Sequence, residues 1–572
     1  MKPDSNGRTR LFAAAVIVLL TLLGFFQFPG HTFLQADTQI YIPILEHFRD
    51  HSVFDRELIA QDPHVAFTIY DEVALALRRI SGLDFQAVLT AQQLLFRALG
   101  LLGVYWIATS MGLRARLALL VTAAFSLGAT IGGPAVLTIE YEPVPRGFAI
   151  PLLLLAIGLV AQGRHFGAGV AAAIAFLYHP PSVLPFWAVY FVLTLWPDKP
   201  AIMSRRILGL APMLAGVIVL FVLSRVQQGA TEPQSFFARI SPELESIQRL
   251  RAPYTWISLW PGYWIAQYLL LWALSLGAFW RVRRHVTADL KFFLLGLPLF
   301  GVLMMPLSYL LLERLKWSAI PQIQPARAVL FVVVIAVVLA AVAAAQAAGQ
   351  RRYWESVAWL APVFAVPAQT RVFEILLPGL SIPLIRTRLA IVLGLAALST
   401  LAARAVASRR RWALAPWMAA IALPFFVLPG WGRMENYRPL ETAELDQVAS
   451  WARASTPKDA LFFFPDAGRG LAPGVFRARS LRALYVDWKA GGQANFLKGF
   501  AHEWWLRWRR SEAENFTAAG GERYRALGID YIVLAPAHRI PGRAAVFQNA
   551  RFLVYRVAGP ATQRAGDASG GS

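Results

Sequence analysis

Apolar runs long enough to cross a bilayer recur from residue 11 to residue 430, and no other feature limits the fold as strongly. A hydrocarbon core ~30 Å thick takes roughly 20 apolar residues in helical form. Runs near that length fall at 11–29, 88–110, 115–137, 207–225, 259–280, 291–312, 327–348, 354–370, 380–402 and 412–430, with shorter ones at 147–162, 166–178 and 183–196. Backbone inside lipid must satisfy its own hydrogen bonds, so each run predicts a helix. The expected architecture is an all-α polytopic membrane protein with about thirteen transmembrane helices. Composition agrees, at 57% hydrophobic and 15% charged residues; soluble domains hold about 45–50% and about 25%.

Threading these spans with the N-terminus inside sorts the charges. The inner segments become "MKPDSNGRTR", "LRAR" (113–116), "GRH" (163–165), "DKPAIMSRR", "RVRRHVTADLK", "QRR" (350–352) and "RAVASRRR", nearly all basic. Acids collect on the other side, with Asp37, Glu46, Asp50, Asp55, Glu57, Asp62, Asp71 and Glu72 in 30–87, then Glu140 and Glu142. Positive charge on the inner face is the usual topology signal. It accounts for the net charge of +22, and no nucleic-acid partner is expected. The absence of cysteine excludes disulfides, thiolate metal sites and a Cys nucleophile. Only seven of the 55 basic residues are Lys; with abundant Ala, this points to a GC-rich bacterium and its inner (cytoplasmic) membrane. No small-residue cleavage site precedes Asp37, so the first run reads as a retained anchor with a cytoplasmic N-terminus.

The chain therefore divides into a membrane domain, 1–430, an extracytoplasmic α/β domain, 431–560, and a disordered tail, 561–572. Two large outer loops, 30–87 and 226–258, interrupt the first part. In the second part, "ALFFFP" (460–465), "RALYVDW" (482–488), "DYIVLAP" (530–536) and "RFLVYRV" (551–557) read as strands, after an amphipathic helix in "TAELDQVASWARAS". No Walker A or dinucleotide glycine fingerprint is present, and the inner turns are too short for a nucleotide site.

Chemistry-bearing residues gather on the outer side. Asp37 follows the first span and opens a stripe of Ile40, Tyr41, Ile44, Leu45 and Phe48 at helical spacing, which predicts a helix lying along the interface. As a helix N-cap, Asp37 would accept first-turn N–H groups and stay ionised. Glu140 and Glu142 form an E-x-E pair suited either to oxygen ligation of a divalent cation (Mg or Mn) or to solvation of a loop. Arg146, at the entrance of the next span, is costly in lipid and suits a phosphate partner. His179, Arg225 and Arg327 also fall at outer span ends and are candidate lipid-phosphate ligands; His179 could equally mark a kinked hairpin. In "EWWLRW", Trp504, Trp505 and Trp508 suit either stacking on a sugar ring or anchorage at the bilayer interface.

With an acid just after the first span, a large first outer loop and an outward C-terminal domain, the chain resembles GT-C type glycosyltransferases. These are multi-span enzymes that use polyprenyl-phosphate-linked sugars. The resemblance covers about residues 10–430, and "FRARSLRALYVDWK" and "EWWLRW" are similar to the tails of bacterial membrane proteins of this build. It implies Asp37 as general base on an acceptor hydroxyl, inversion at the sugar, and a lipid phosphate held by Arg146, His179, Arg327 or a cation on Glu140 and Glu142. Expected partners are a polyprenyl-phosphate-sugar donor, a glycan, lipid or protein acceptor, and membrane lipids. No "WWDYG"-like signature is present, which disfavours the oligosaccharyltransferase branch. A transporter or flippase, or a non-catalytic assembly subunit, is the alternative; a transporter would place ionisable groups mid-span rather than in outer loops.

Overall fold

The computed structural model of the chain describes residues 7–27, 29–61, 68–131, 136–226, 238–365, 440–512 and 521–557. The expected spans 380–402 and 412–430, the end of 354–370 and the tail 561–572 lie outside those residues. After α1 (Gly7–Phe26), the first large loop carries α2 (Thr38–Arg49), α3 (Leu58–Gln61) and α4 (Tyr70–Ser81). Then come α5 (Phe85–Ser110), α6 (Ala115–Ser126), α7 (Pro145–Ala161), α8 (His165–Tyr178), α9 (Pro180–Leu195) and α10 (Pro200–Val226). The second large loop holds α11 (Pro242–Arg251). It is followed by α12 (Gly262–Val282), α13 (Ala288–Ser308), α14 (Ile320–Ile323), α15 (Leu330–Gly349) and α16 (Tyr353–Ala365).

Among the described residues, six helices are long and apolar enough to cross a membrane, and four more are apolar but shorter. One run departs from expectation. The segment 115–137 is helical only to Ser126; Gly128 then turns left-handed at φ +73, and a two-strand hairpin follows, β1 (Thr130–Ile131) with β2 (Val136–Leu137). The basic turns meet at one end of the bundle. There the Gln346 amide donates to the Met111 carbonyl at 3.3 Å, and Arg206 pairs with Asp198 at 2.7 Å and Asp289 at 2.5 Å. The loop 139–146 lies at the opposite end, where α7 begins.

Helices α5 and α7 approach backbone to backbone. A Cβ on Gly103 would lie 2.3 Å from the Leu154 carbonyl oxygen, a distance that no side chain can occupy. Small residues permit this contact where lipid offers no hydrophobic drive. Gly103→Ala is expected to force the pair apart and cost about 1–3 kcal/mol, as overpacking does; thermal unfolding in detergent would register it.

The first-loop helix is buried along both flanks. Ile40 and Ile44 of α2 pack into the cluster that holds Phe500 and Trp504, while Ile42 and Leu45 join the cluster running through the membrane helices. Apolar residues on both flanks wedge α2 between the membrane domain and the C-terminal domain.

That domain is α/β. Its sheet has the order β4-β3-β5-β7-β6, from β3 (Leu461–Phe463), β4 (Ala483–Leu484), β5 (Tyr531–Leu534), β6 (Phe547–Gln548) and β7 (Leu553–Arg556). β4, β3 and β5 run parallel; β7 and β6 add antiparallel pairs. Alternate residues of the central strands point to two covered faces. Phe462, Tyr531 and Val533 share one cluster with Val448 and Phe476, while Phe463, Ile532 and Leu534 share another with Phe500 and Trp504. Burial on both faces explains why these strands read as continuous apolar runs.

Candidate active site

Asp37 begins α2, but its carboxylate caps nothing there. The cap comes from another loop. Glu142 accepts from the backbone N–H groups of Gln35 and Ala36, each at 2.7 Å, and of Thr38 at 3.0 Å, and from the Thr38 hydroxyl at 3.0 Å. These four donors tie the Glu142 carboxylate to the turn before α2 and to the helix's first N–H, that of Thr38. Asp37 is thereby left to turn toward α7.

Two cations meet it. Arg146, in the first turn of α7, donates through Nη1 to Asp37 Oδ2 at 2.6 Å and through Nε to Glu140 Oε2 at 2.6 Å. Lys489 of the C-terminal domain donates to Asp37 Oδ1 at 2.5 Å. Burial alone would raise the Asp37 carboxyl, but Lys489 and Arg146 outweigh it and hold the group far below the usual carboxylate range. The loop that bears Glu140 is fixed from α5: Arg97 donates to the Glu140 carbonyl at 2.7 Å, and Gln93 to the Tyr141 carbonyl at 2.7 Å.

Glu140 and Arg146 line a narrow cleft together with Ile150, Ser182, Arg327 and Phe331. Arg327 has no carboxylate partner among the described residues; its Nε is buried without a hydrogen bond, and its guanidinium lies 5.8 Å from the Tyr254 ring. His179 sits beside this cleft but is turned to another task. Its Nδ1 lies 2.8 Å from the Ser182 hydroxyl and accepts the Ser182 N–H, capping α9. Burial, with Arg327 and Arg146 nearby, pushes its imidazole down to about 3, so His179 is neutral at physiological pH. Arg225 is exposed at the end of α10, 5.1 Å from the Phe221 ring, and is not brought to the cluster.

The carboxylates do not fit a divalent cation as they stand. Glu142 is saturated by protein donors, Asp37 and Glu140 share Arg146, and among the described residues no group of three or more His, Asp or Glu side chains converges as a ligand set.

The tryptophans are placed differently from either expectation. Trp504 is fully buried and Trp508 nearly so, in the core of the C-terminal domain, with Trp504 Nε1 donating to the Asp487 carbonyl at 3.0 Å. Neither presents a face to sugar or lipid; Trp505 alone is partly exposed. Trp488, between Asp487 and Lys489, lies at the site instead, with Arg251 of α11 4.0 Å and Arg469 4.5 Å from its ring.

Sequence reasoning missed Lys489, Arg251, Arg97 and Arg477. One signal for Lys489 was present: it is among only seven lysines and follows a strand of the parallel set, where α/β folds place their ligand-binding loops.

Residues 443–510 match a family model described as a domain of unknown function, DUF6798. No curated protein matches the chain. Among solved structures, ArnT from Cupriavidus metallidurans in the apo state aligns at 14% identity and TM-score 0.50, over 97% of this chain and 99% of that one. The Archaeoglobus fulgidus oligosaccharyltransferase aligns at 11% and 0.42, over 92% and 69%. The mycobacterial arabinofuranosyltransferase AftD aligns at 14% and 0.47, over 98% and 40%. The likeness to ArnT extends over both chains, and the fold is of the GT-C type.

Proposed function

We propose that this GT-C-fold membrane protein transfers a sugar from a polyprenyl-phosphate donor to an acceptor hydroxyl at the outer face of a bacterial cytoplasmic membrane. The observation that carries this reading is one ionised carboxylate, Asp37, set among cations beside a cleft between membrane helices. Basic residues on the inner turns and acids on the outer loops support the orientation.

In the proposed reaction Asp37 accepts the acceptor's hydroxyl proton while that oxygen bonds to the anomeric carbon. The bond from carbon to phosphate oxygen breaks, its electron pair stays with the phosphate, and polyprenyl monophosphate leaves. Attack opposite the leaving group inverts the sugar. Negative charge grows on the phosphate, and Arg146 and Arg327 supply fixed positive charge for it. The cations come from the protein itself, so no step is assigned to a metal ion.

The test is reconstitution in liposomes with a panel of polyprenyl-phosphate sugars and free acceptors. Release of polyprenyl monophosphate coupled to a new glycoside supports the reading. Movement of intact lipid-linked sugar across the bilayer without bond cleavage would overturn it in favour of a transporter.

A further inference from the structure

A carboxylate held by two cations is ionised but is a weak base, because proton transfer is most efficient when the base's pKa lies near the operating pH. The resting geometry is therefore not the reacting one, and one of the two cations must let go. Arg146 is committed on two sides, to Glu140 as well as Asp37. Lys489 has Asp37 as its acidic partner and carries its charge on a flexible four-carbon stem.

Its backbone, by contrast, is held firmly. Asp487 accepts the N–H groups of Lys489 at 3.2 Å and Ala490 at 3.3 Å. Asp487 is gripped by the fully buried Arg477 at 2.8 Å, and Arg477 also donates to the Gln39 carbonyl at 2.9 Å, two residues past Asp37. One guanidinium thus fixes both the loop of Lys489 and the helix of Asp37, while the Lys489 ammonium, at the end of a flexible stem, is held by Asp37. Around it, Arg251 and Arg327 have no carboxylate partner among the described residues, and each has its Nε buried without a hydrogen bond. An anion entering here meets cations already in place.

We propose that Lys489 is a displaceable counter-ion: the phosphate of the lipid-linked donor takes it from Asp37, so the C-terminal domain supplies a donor ligand and the base is freed only when donor is bound. This rests on the transfer reaction proposed above. The groups facing Asp37 are Lys489 from the C-terminal domain, Arg146 and Glu140 at α7, Glu142 before it, Tyr41 on α2, His179 before α9, Arg251 on α11 and Arg327 before α15. Moving one ammonium from the carboxylate to the phosphate leaves Arg146 to orient Asp37.

The probe is polyprenyl monophosphate, titrated into the full-length protein in nanodiscs as wild type, Lys489→Met and Lys489→Arg. Loss of a charge-assisted bond to phosphate predicts about 10- to 100-fold weaker binding in Lys489→Met, largely restored in Lys489→Arg. The uncharged polyprenol should bind all three alike. Inorganic phosphate should compete only at far higher concentration; competition at equal concentration would reassign the site to free phosphate and overturn the donor assignment. A second readout is the pH profile of kcat/KM. With one cation gone from the free enzyme, the Asp37 carboxyl rises and an acid limb enters the accessible range in Lys489→Met but not in wild type. Unchanged affinity and an unchanged profile in a folded Lys489→Met would overturn the proposal. If that result accompanied an inactive Asp37→Asn, the transfer reading would stand; full turnover in Asp37→Asn would remove that reading instead.

Discussion

Asp37→Asn is expected to lower kcat by about 10²–10⁴-fold, the range that a positioned base contributes, and to lower donor KM, because the phosphate no longer takes Lys489 from a carboxylate. Asparagine keeps the shape of the side chain and can still accept a hydrogen bond from Arg146, so the loop should hold. Glu142 and not Asp37 accepts the first N–H of α2, so the Asn variant leaves the start of the helix in place. Asp37→Ala should be as inactive and less stable than Asp37→Asn, because it leaves Arg146 and Lys489 without the carboxylate they share. Steady-state kinetics beside an unfolding curve makes the check. Full turnover in both variants would remove Asp37 from the chemistry, and a large loss of stability in Asp37→Asn would make it a structural residue after all.

The second large effect concerns Arg477. Its guanidinium is wholly buried and pairs with Glu57 of the first large loop at 3.2 Å and Asp487 of the C-terminal domain at 2.8 Å. Removing one member of a buried ionic group strands the others, at about 3–5 kcal/mol. Arg477→Met should therefore lower the unfolding temperature and expose the junction of the two domains to protease. The loss should also depend on pH. Burial already raises the Glu57 carboxyl, and without Arg477 it rises further. A carboxyl whose folded pKa lies above its unfolded value contributes stability that is present in acid and lost as pH rises through the folded value. Arg477→Met should thus be closer to wild type near pH 5 than near pH 8, and adding Glu57→Gln should flatten the difference. Equal destabilisation at both pH values would count against the stranded-charge account.

The helical membrane domain was legible because its signal is local: twenty apolar residues in lipid have one backbone solution. All four expected strand segments contain a strand, since their apolar runs are bounded by polar turns; the two-residue β6 is too short to carry a pattern. Asp37, Glu140, Arg146 and Arg327 were found because charge at a span's outer end is conspicuous, and the structure brings them to one cleft or its rim. What each does was less legible. Nothing in "ADTQ" reveals that Glu142, 104 residues away from Thr38, will cap the helix. Nor does a Trp-rich helix announce whether its rings face a core, a sugar or a lipid, because all three reward the same side chain. Lys489 meets Asp37 across 452 residues, a pairing that only the docked domain makes visible.

The wedged position of α2 bears on how this protein can be rebuilt. A C-terminal domain joined by a linker can be exchanged for another; this one shares a helix, a buried charge cluster and the carboxylate's counter-ion with the membrane part. Grafting a different C-terminal domain onto residues 1–430 would strip Ile40, Ile44 and Glu57 of their cover together. A working chimera would have to import Arg477, Asp487 and Lys489 as a set, so the unit of inheritance here is the junction and not either half.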